Sequence, residues 1–438
     1  MDAYRGRSSR FSIEISSDSL ARIHFVIYTD PTTWQELPDL IAVQARLTRV
    51  IRTWDDHLRD ALIAAHGEHR GLTLLDRYGS AFSTAYRSHV YAEGAVSDID
   101  HLEALGDRDL DVALHRPLEA DETLLRCKLY RSGHPITLTQ FIPLLHDLGA
   151  VVTDEIPYEV KVEGERNRFI YDIGIRLERE LDPDGRARFR EAILAVWSAQ
   201  AESDSFARLV TTADLSWSDV TVLRAYARYL IQVGTHFSPA YVRETVNRNP
   251  DIARLLVELF RLRFDPECHD ALSAVEKRAE LFEAIDGVPS LDADRILRSF
   301  VALVEATVRT NHWQQGESGD PRPALAFKLD LSQVPGVPKP VPSAEIFVYS
   351  PRTEGVHLRS GRVARGGLRW SDRMEDYRTE ILGLMKAQTV KNSVIVPVGA
   401  KGGFVARRLP AGGSRDEVMA EVVGCYRSFV GALLDVTD

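Results

Sequence analysis

The sequence predicts a multidomain α+β chain that ends in an α/β domain. Two groups of segments alternate apolar and polar residues, which is the period of β-strands, near the start of the chain and between residues 124 and 177. Apolar residues recur three or four positions apart over residues 185–311, which predicts helices. A helical pattern is followed by a β-branched run at residues 394–398, which predicts the final α/β unit. A chain of 438 residues has room for three or four domains.

The first elements are strands. Residues 11–15 and 22–28 alternate in strand fashion, and we assign residues 1–33 to the end of a β-containing module. A long amphipathic helix or helix pair is predicted over residues 34–66, and another helix over residues 73–91. Residues 34–120 are therefore expected to form a helical connection.

A β-α-β-β order is predicted for residues 121–182. Residues 124–130 alternate, Thr137 or Thr139 can cap a helix that runs to Leu148, and Gly149 ends it. Residues 156–162 and 169–177 then alternate as two further strands. Residues 183–325 form the predicted helical domain, which carries no catalytic motif.

The last domain, residues 326–438, follows a proline-rich segment. The sequence LSQVPGVPKPVPS at residues 331–343 predicts an extended strap, leading into residues 345–349 as the first strand of this domain. Asp372 with Glu375 resembles a capping box at the start of a helix over residues 374–392. Residues 394–398 are the next predicted strand.

Three cations lie beside glycines in this final domain, in the segment GRVARGGLRWSDRMEDYRTEILGLMKAQTVKNSVIVPVGAKGGFV. They are Arg365, Lys391 and Lys401. Such a set suits a small dianion. Lys401 is expected at the carboxyl end of a strand, where open α/β sheets bind ligands. The backbone N–H groups of Gly366 and Gly367 can also reach a carboxylate.

Other interpretations of this segment are weaker. A glycine-rich loop with one lysine is usually only a turn, and it is the order of the three cations that favours a site. A phosphate-binding loop is excluded, because the sequence around Lys401 lacks the four-residue spacer and the following Ser or Thr. Arg369 and Trp370 can anchor the loop and receive no catalytic role.

The pieces RGGLRW, LMKAQTVKN and VPVGAKGGF resemble the substrate domain of glutamate dehydrogenases, and the whole segment is similar to the large NAD-specific bacterial subfamily. The resemblance implies that Lys401 is the catalytic lysine, and that Lys391 and Gln388 hold the α-carboxylate of the substrate. Arg365 falls where small members of the family have a lysine for the distal carboxylate. The arginine guanidinium is planar and can bind a carboxylate through two hydrogen bonds, whereas the lysine ammonium is a single charge on a flexible chain. Arg365 is therefore a departure from the family pattern. The spacing between Lys391 and Lys401 is also shorter than in the small enzymes.

The resemblance further implies reversible oxidative deamination of L-glutamate to 2-oxoglutarate and ammonia, with NAD as cofactor. The family's partner aspartate has no match here, since neither Asp435 nor Asp438 has the expected loop around it. No G-x-G-x-x-G motif follows a strand, and only about thirty-five residues follow Lys401, too few for a nucleotide domain. We therefore expect a fragment, with the NAD site mostly outside this chain, its residues unknown, and no metal site.

The β-α-β-β segment looks like an ACT-type regulatory domain, and residues 1–33 like the end of another. Such domains imply amino-acid effectors or an oligomer contact, and the chain is expected to form a homo-oligomer. Two alternative functions stay open at this stage: an amino-acid-sensing and assembly module without turnover, and a dehydrogenase of another amino acid. Arg365 argues against the latter.

Composition bounds the remaining possibilities. A net charge of −10 argues against general nucleic-acid binding, and no apolar stretch is long enough for a membrane span. No signal peptide is evident, and Cys127, Cys268 and Cys425 are too few and too far apart for a disulfide framework. The thirteen histidines show no metal-binding spacing. A cytoplasmic protein is expected.

Overall fold

The structure is a computed structural model that describes residues 7–15, 21–28, 41, 44, 52–106, 108–117, 122–316, 319, 321–334, 336–392 and 398–437. The chain divides into two compact units, Met1–Ala104 with Tyr158–Arg168, and Leu105–Pro157 with Phe169–Asp438. The mixture of helices and sheets agrees with the predicted α+β class. The division into five domains stays a prediction.

The first unit begins with a two-stranded antiparallel sheet and continues with helices. Strands β1 (Arg7–Ile15) and β2 (Ala21–Tyr28) confirm the two strands predicted there. The helices are α1 (Trp54–His66), α2 (Glu68–Tyr78), α3 (Thr84–His89) and α4 (Ala92–Ala104). The single helix predicted over residues 73–91 is wrong, because α2 ends at Tyr78 and Ser83 caps α3. Of the helix predicted over residues 34–66, most of the first half lies outside the described residues.

A four-stranded sheet contains the predicted β-α-β-β order. Its elements are β3 (Leu110–His115), β4 (Leu124–Ser132), α5 (Leu138–Asp147), β5 (Val151–Val160) and β6 (Arg168–Arg176), with strand order β3-β4-β6-β5. Thr137 caps α5 in a capping box, as predicted. Strand β3 was missed, because the buried Asp111 interrupts its apolar pattern. Arg190 pairs with that carboxylate at 2.6 Å.

The helical block follows as predicted. Its helices are α6 (Pro183–Trp197), α7 (Leu209–Thr212), α8 (Trp217–Val233), α9 (Pro239–Asn247), α10 (Pro250–Phe264), α11 (Ala271–Asp286) and α12 (Leu291–Ala306). Prolines stand in the first turn of α6, α9 and α10, where the missing N–H costs nothing. Gly234 ends α8 in a left-handed conformation. These local signals support the helices that the spacing of apolar residues predicted.

A seven-stranded sheet forms the last part of the second unit. Its strands are β7 (Thr307–Thr310), β8 (Leu325–Leu329), β9 (Ala344–Tyr349), β10 (Thr353–Arg359), β11 (Ala364–Arg365), β12 (Leu368–Trp370) and β13 (Val398–Ala406). The order is β11-β13-β10-β9-β8-β7, and β12 also pairs with β13. The expectation that residues 345–349 form the first strand is wrong, since β7 and β8 precede it in the same sheet.

Two helices pack against this sheet, one on each face. Helix α13 (Tyr377–Asn392) buries Tyr377, Ile381 and Met385 in the core shared with the helical block. Helix α14 (Arg415–Asp435) buries Cys425 and Phe429 against the other face. The predicted helix over residues 374–392 is confirmed except for its start, which lies at Tyr377.

The predicted position of Lys401 at the end of a strand is wrong. Strand β13 begins at Val398, and Lys401 is its fourth residue. Residues 394–397, the rest of the predicted strand, lie outside the described residues. The glycines after Lys401 suggested a loop, but they are strand residues. Side chains from neighbouring elements fill the space where their own side chains would lie. A Cβ on Gly402 would lie 2.4 Å from Leu368 Cδ2, and one on Gly403 would lie 2.2 Å from Ile381 Cδ1.

A fully buried ion pair fixes α13 over the sheet. Arg378 donates to both carboxylate oxygens of Glu345 in β9, at 2.8 and 2.7 Å, and neither side chain is exposed. The Tyr229 ring of α8 lies 5.9 Å from the guanidinium. Burial of both charges is tolerated because the contact is bidentate.

We expect Arg378→Met to lower the free energy of unfolding by about 3–5 kcal/mol, because the Glu345 carboxylate is then left buried without its partner. The control is Arg373→Met, which removes an exposed pair with Asp376 and should cost less than about 1 kcal/mol. Chemical denaturation of the 438-residue chain, followed by tryptophan fluorescence, measures both. Equal losses would contradict a special role for the buried pair.

A second prediction concerns the close approach of the loop between β11 and β12 to β13. A Cβ on Gly366 would lie 1.5 Å from the carbonyl oxygen of Ala400, so Gly366→Ala must displace backbone and should destabilise the fold by about 1–3 kcal/mol. Gly383 of α13 is exposed and has open space around its Cβ position, so Gly383→Ala should stabilise by up to about 1 kcal/mol. Thermal unfolding followed by circular dichroism measures both variants. The melting temperature should fall in Gly366→Ala and rise in Gly383→Ala, and changes in the same direction would contradict the prediction.

Candidate functional site

The glycine loop between β11 and β12 lies along β13. Arg365 is opposite Gly399 and Leu368 is opposite Gly402, both in parallel pairing. The N–H of Gly402 donates to the carbonyl of Gly367 at 3.1 Å. This backbone contact is possible because Gly366 carries no side chain.

Lys401 lies beside this loop. The lysine is half-buried, and a Cβ on Gly367 would lie 3.9 Å from its Nζ atom. Arg365, two residues before Gly367, is exposed. Two of the three predicted cations therefore lie at the same edge of the sheet, separated by a stretch of backbone without side chains.

Helix α13 carries Gln388 and Lys391 along the face of β13 that also bears Lys401. Ile381 packs at Gly403, and Gln388 follows seven residues later on the same helix face, about 10 Å further along the axis. Gln388 is half-buried. Lys391 belongs to the last turn of α13, and its side chain lies outside the described residues. Since α13 and β13 are separated by only five residues, the helix leads back along the strand toward Lys401.

The segment after β12 is held to α13 by contacts that the sequence did not indicate. The hydroxyl of Ser371 donates to Glu380 Oε2 at 2.6 Å, and Arg369 Nε lies 2.9 Å from Glu380 Oε1. This agrees with the anchoring role considered for Arg369. Trp370 is 40 % exposed. Glu380 has no motif around it, so only the fold reveals that it ties the loop to the helix.

The opposite face of the sheet holds a basic cleft of about 940 Å³. Lys328, His357, Arg359 and Arg362 line it, with Gly366 and Gly367 at its border. Burial lowers the pKa of His357 to about 4, and the charge of Arg359 acts in the same direction, so this histidine is neutral at pH 7. Because His357 faces Gly402 while Lys401 points to the other side, this cleft is separate from the Lys401 face.

Asp435 was considered as the family's partner aspartate, and its carboxylate is held by two side chains of the segment between β7 and β8. Its carboxylate accepts from Asn311 Nδ2 at 2.9 Å and lies 3.3 Å from Arg322 Nη2. Those contacts tie the end of α14 to the segments flanking β8. Asp438 lies outside the described residues.

None of the strands in the described part of the chain is followed by a G-x-G-x-x-G turn, so the described residues do not fit a dinucleotide. No cluster of three or more His, Cys, Asp or Glu side chains with metal-binding geometry occurs among them. No helix within the same ranges is long and apolar enough to cross a membrane. The three cysteines are free thiols.

Five family models match successive parts of the chain. They are described as the ACT2 domain (residues 1–55), helical motif 2 (residues 61–105), ACT3 domain (residues 109–187) and helical motif 3 (residues 201–266) of glutamate dehydrogenase, and the catalytic domain of bacterial NAD-glutamate dehydrogenase (residues 280–438). The ACT-like resemblance of residues 121–182 is therefore confirmed, and the last model contains every predicted site residue.

Curated relatives cover nearly the whole chain. The NAD-specific glutamate dehydrogenase of Pseudomonas aeruginosa is 42 % identical over 447 residues, which is 100 % of this chain and 28 % of that protein. The enzyme of the same name from Halomonas elongata is 43 % identical, covering 98 % of this chain and 27 % of that protein. The one from Mycobacterium tuberculosis is 40 % identical, covering 99 % and 28 %. The chain thus spans just over a quarter of the length of these relatives. From the succession of family models and these identities, the chain belongs to the bacterial NAD-specific glutamate dehydrogenase family.

Proposed function

We propose that this chain supplies the glutamate-binding face and the catalytic lysine for NAD-dependent oxidative deamination of L-glutamate to 2-oxoglutarate and ammonia. The observation that supports it best is the position of Lys401 Nζ beside the side-chain-free loop that follows Arg365. A small dianion can approach the backbone of that loop closely, with cations on both sides.

The substrate is proposed to lie between the loop and α13. Arg365 binds its side-chain carboxylate as a bidentate fork, and Lys391 with Gln388 binds the α-carboxylate. With both ends fixed, the α-carbon lies near Lys401. The substrate is thus held in its reactive position before any bond is broken.

Lys401 is proposed to act on water. Loss of a hydride from the α-carbon of the neutral amine leaves a positively charged iminium ion, which water attacks before ammonia leaves. A neutral lysine amine takes a proton from that water as the new C–O bond forms. The described residues offer no dinucleotide site, so we assign no step of hydride transfer to them.

Other properties inferred for the whole protein are also proposals. The names of the relatives support NAD as the hydride acceptor, and the ACT models support amino-acid effectors. We further propose a cytoplasmic homo-oligomer that binds neither nucleic acid nor membranes.

We expect Lys401→Ala, in the native-length enzyme, to reduce glutamate-dependent NADH formation by about 10²–10⁴-fold, because the water then has no positioned base. Lys386→Ala is the matched control, since Lys386 is an exposed lysine of the neighbouring helix, and its rate should stay near that of the native enzyme. An active Lys401→Ala enzyme would overturn the mechanism. Activity in the 438-residue chain alone would mean that it holds a nucleotide site after all.

Arg365→Met tests the distal carboxylate contact. The ratio of kcat/KM for glutamate to that for norvaline should fall by about 10- to 100-fold, as expected for losing a hydrogen bond to a charged group. Arg362→Met, a nearby exposed arginine without an assigned role, should leave the ratio unchanged. An unchanged ratio in Arg365→Met would remove Arg365 from the site.

A further inference from the structure

One side chain of the helical block contacts the backbone at the start of α13. Gln232, near the end of α8, is only 6 % exposed. Its Nε2 donates to the carbonyls of Met374 and Glu375, at 3.3 and 3.0 Å, and its Oε1 accepts from the backbone N–H of Arg378 at 3.2 Å. Two carbonyls and one N–H fix which end of the amide is nitrogen. A single glutamine thus binds three backbone groups between residues 374 and 378, in another part of the fold.

These contacts replace a local cap. The first N–H groups of a helix lack partners inside it, and usually a side chain just before the helix accepts from one of them. Asp376 occupies that position before α13, but its carboxylate is bound by Arg373, with Nε and Oδ1 2.8 Å apart. Gln232 supplies the acceptor for Arg378 instead.

The neighbouring contacts make this junction rigid. Tyr229, one turn earlier on α8, lies against the Arg378 guanidinium, which is itself held by Glu345. Gln232 is the member that acts on the backbone of α13 directly, so it fixes the level and the direction at which the helix starts.

The far end of the same helix carries the proposed α-carboxylate ligands. Gln388 is ten residues after Arg378, which is about 15 Å along the axis, and a tilt of about 5° at the start moves that end by roughly 1 Å. A displacement of that size is enough to impair a binding geometry. Lys401 lies on β13 and is not carried by the helix, so the same tilt leaves it in place.

We propose that Gln232 is a positioning residue for the substrate-binding helix: through its three backbone contacts, the helical block determines where Gln388 and Lys391 meet the substrate. This inference rests on the proposed function for the role of these two residues. It extends the site to a helical motif that holds none of the predicted substrate ligands.

In the native-length enzyme, Gln232→Leu should raise the KM for glutamate about 10-fold while kcat changes less than about threefold, since binding groups move and the catalytic lysine does not. Gln232→Glu should show a pH-dependent KM. Its carboxylate can accept from Arg378 but cannot donate to the Met374 and Glu375 carbonyls. Protonation at lower pH restores a donor, so the KM should return toward the native value as the pH falls from 8 to 6.

Asn247→Leu is the matched control. Asn247 of α9 is also an amide with a backbone partner, although it is half-buried where Gln232 is buried, and it donates to the carbonyl of Ser205 within the helical block. It should lower the melting temperature without raising the KM. A KM that rises equally in Asn247→Leu and Gln232→Leu would show a general loss of stability and overturn the positioning role.

Hydrogen–deuterium exchange separates this inference from the proposed function, because it needs no turnover. Gln232→Leu should speed exchange of the amides over residues 377–388, whereas Asn247→Leu should not. Unchanged exchange there overturns the inference whatever the substrate is. Faster exchange in an enzyme that does not oxidise glutamate leaves the coupling of the two helices intact and rejects the glutamate assignment alone.

Discussion

The ion pair between Arg378 and Glu345 constrains the whole Lys401 face of the sheet. Taking both charges out of water costs several kcal/mol for each ion, and attraction repays that cost only when the geometry is close to ideal. Sliding α13 by part of a turn would therefore separate these charges as well as disturb its packed apolar face. The pair therefore acts on the position of α13 relative to β9, and with it on every residue that the helix carries.

A second buried acid joins the helical block to the same sheet. Glu354 of β10 lies 3.1 Å from Arg228 Nε of α8 and 3.2 Å from Arg407 Nε. Burial raises the pKa of Glu354 to about 7, while the charge of Arg228 opposes that rise. Arg407 also pairs with Glu202 in the segment before α7. Pairs of a basic and an acidic side chain, each with at least one buried partner or two mostly buried ones, thus recur where α8 and the segment before α7 meet the sheet, so a shift of the block against the sheet separates them.

The sequence was most informative where the local signals agree with the fold. Thr137 as a helix cap, the apolar spacing over residues 185–311 and the alternation of residues 169–177 all predicted elements that the structure contains. Prediction failed where a tertiary contact overrides a local signal. Asp111 looked unlike a strand residue because its partner, Arg190, is distant in sequence. The glycines after Lys401 looked like a loop because the side chains that fill their space, Leu368 and Ile381, belong to other elements.

The candidate site shows the same division. Arg365, Gln388, Lys391 and Lys401 are candidates from motif resemblance, and the fold adds that Arg365 and Lys401 both lie beside the glycine loop. Neither Glu380 nor Gln232 could be identified in this way, since each acts through partners on separate elements and no local pattern marks it. A motif can indicate which side chains bind a ligand. The residues that hold those side chains in position depend on contacts between distant segments.

The close approach of Gly366 to Ala400 limits how such a site can diversify. The loop has no room for a side chain at that position, so no larger residue can replace Gly366 without moving the strand beneath it. Position 365 is exposed and free of that restriction. The arginine of this chain, which by resemblance falls at a position of lysine in the small enzymes, stands at this exposed place, where one side chain can replace another without moving β13.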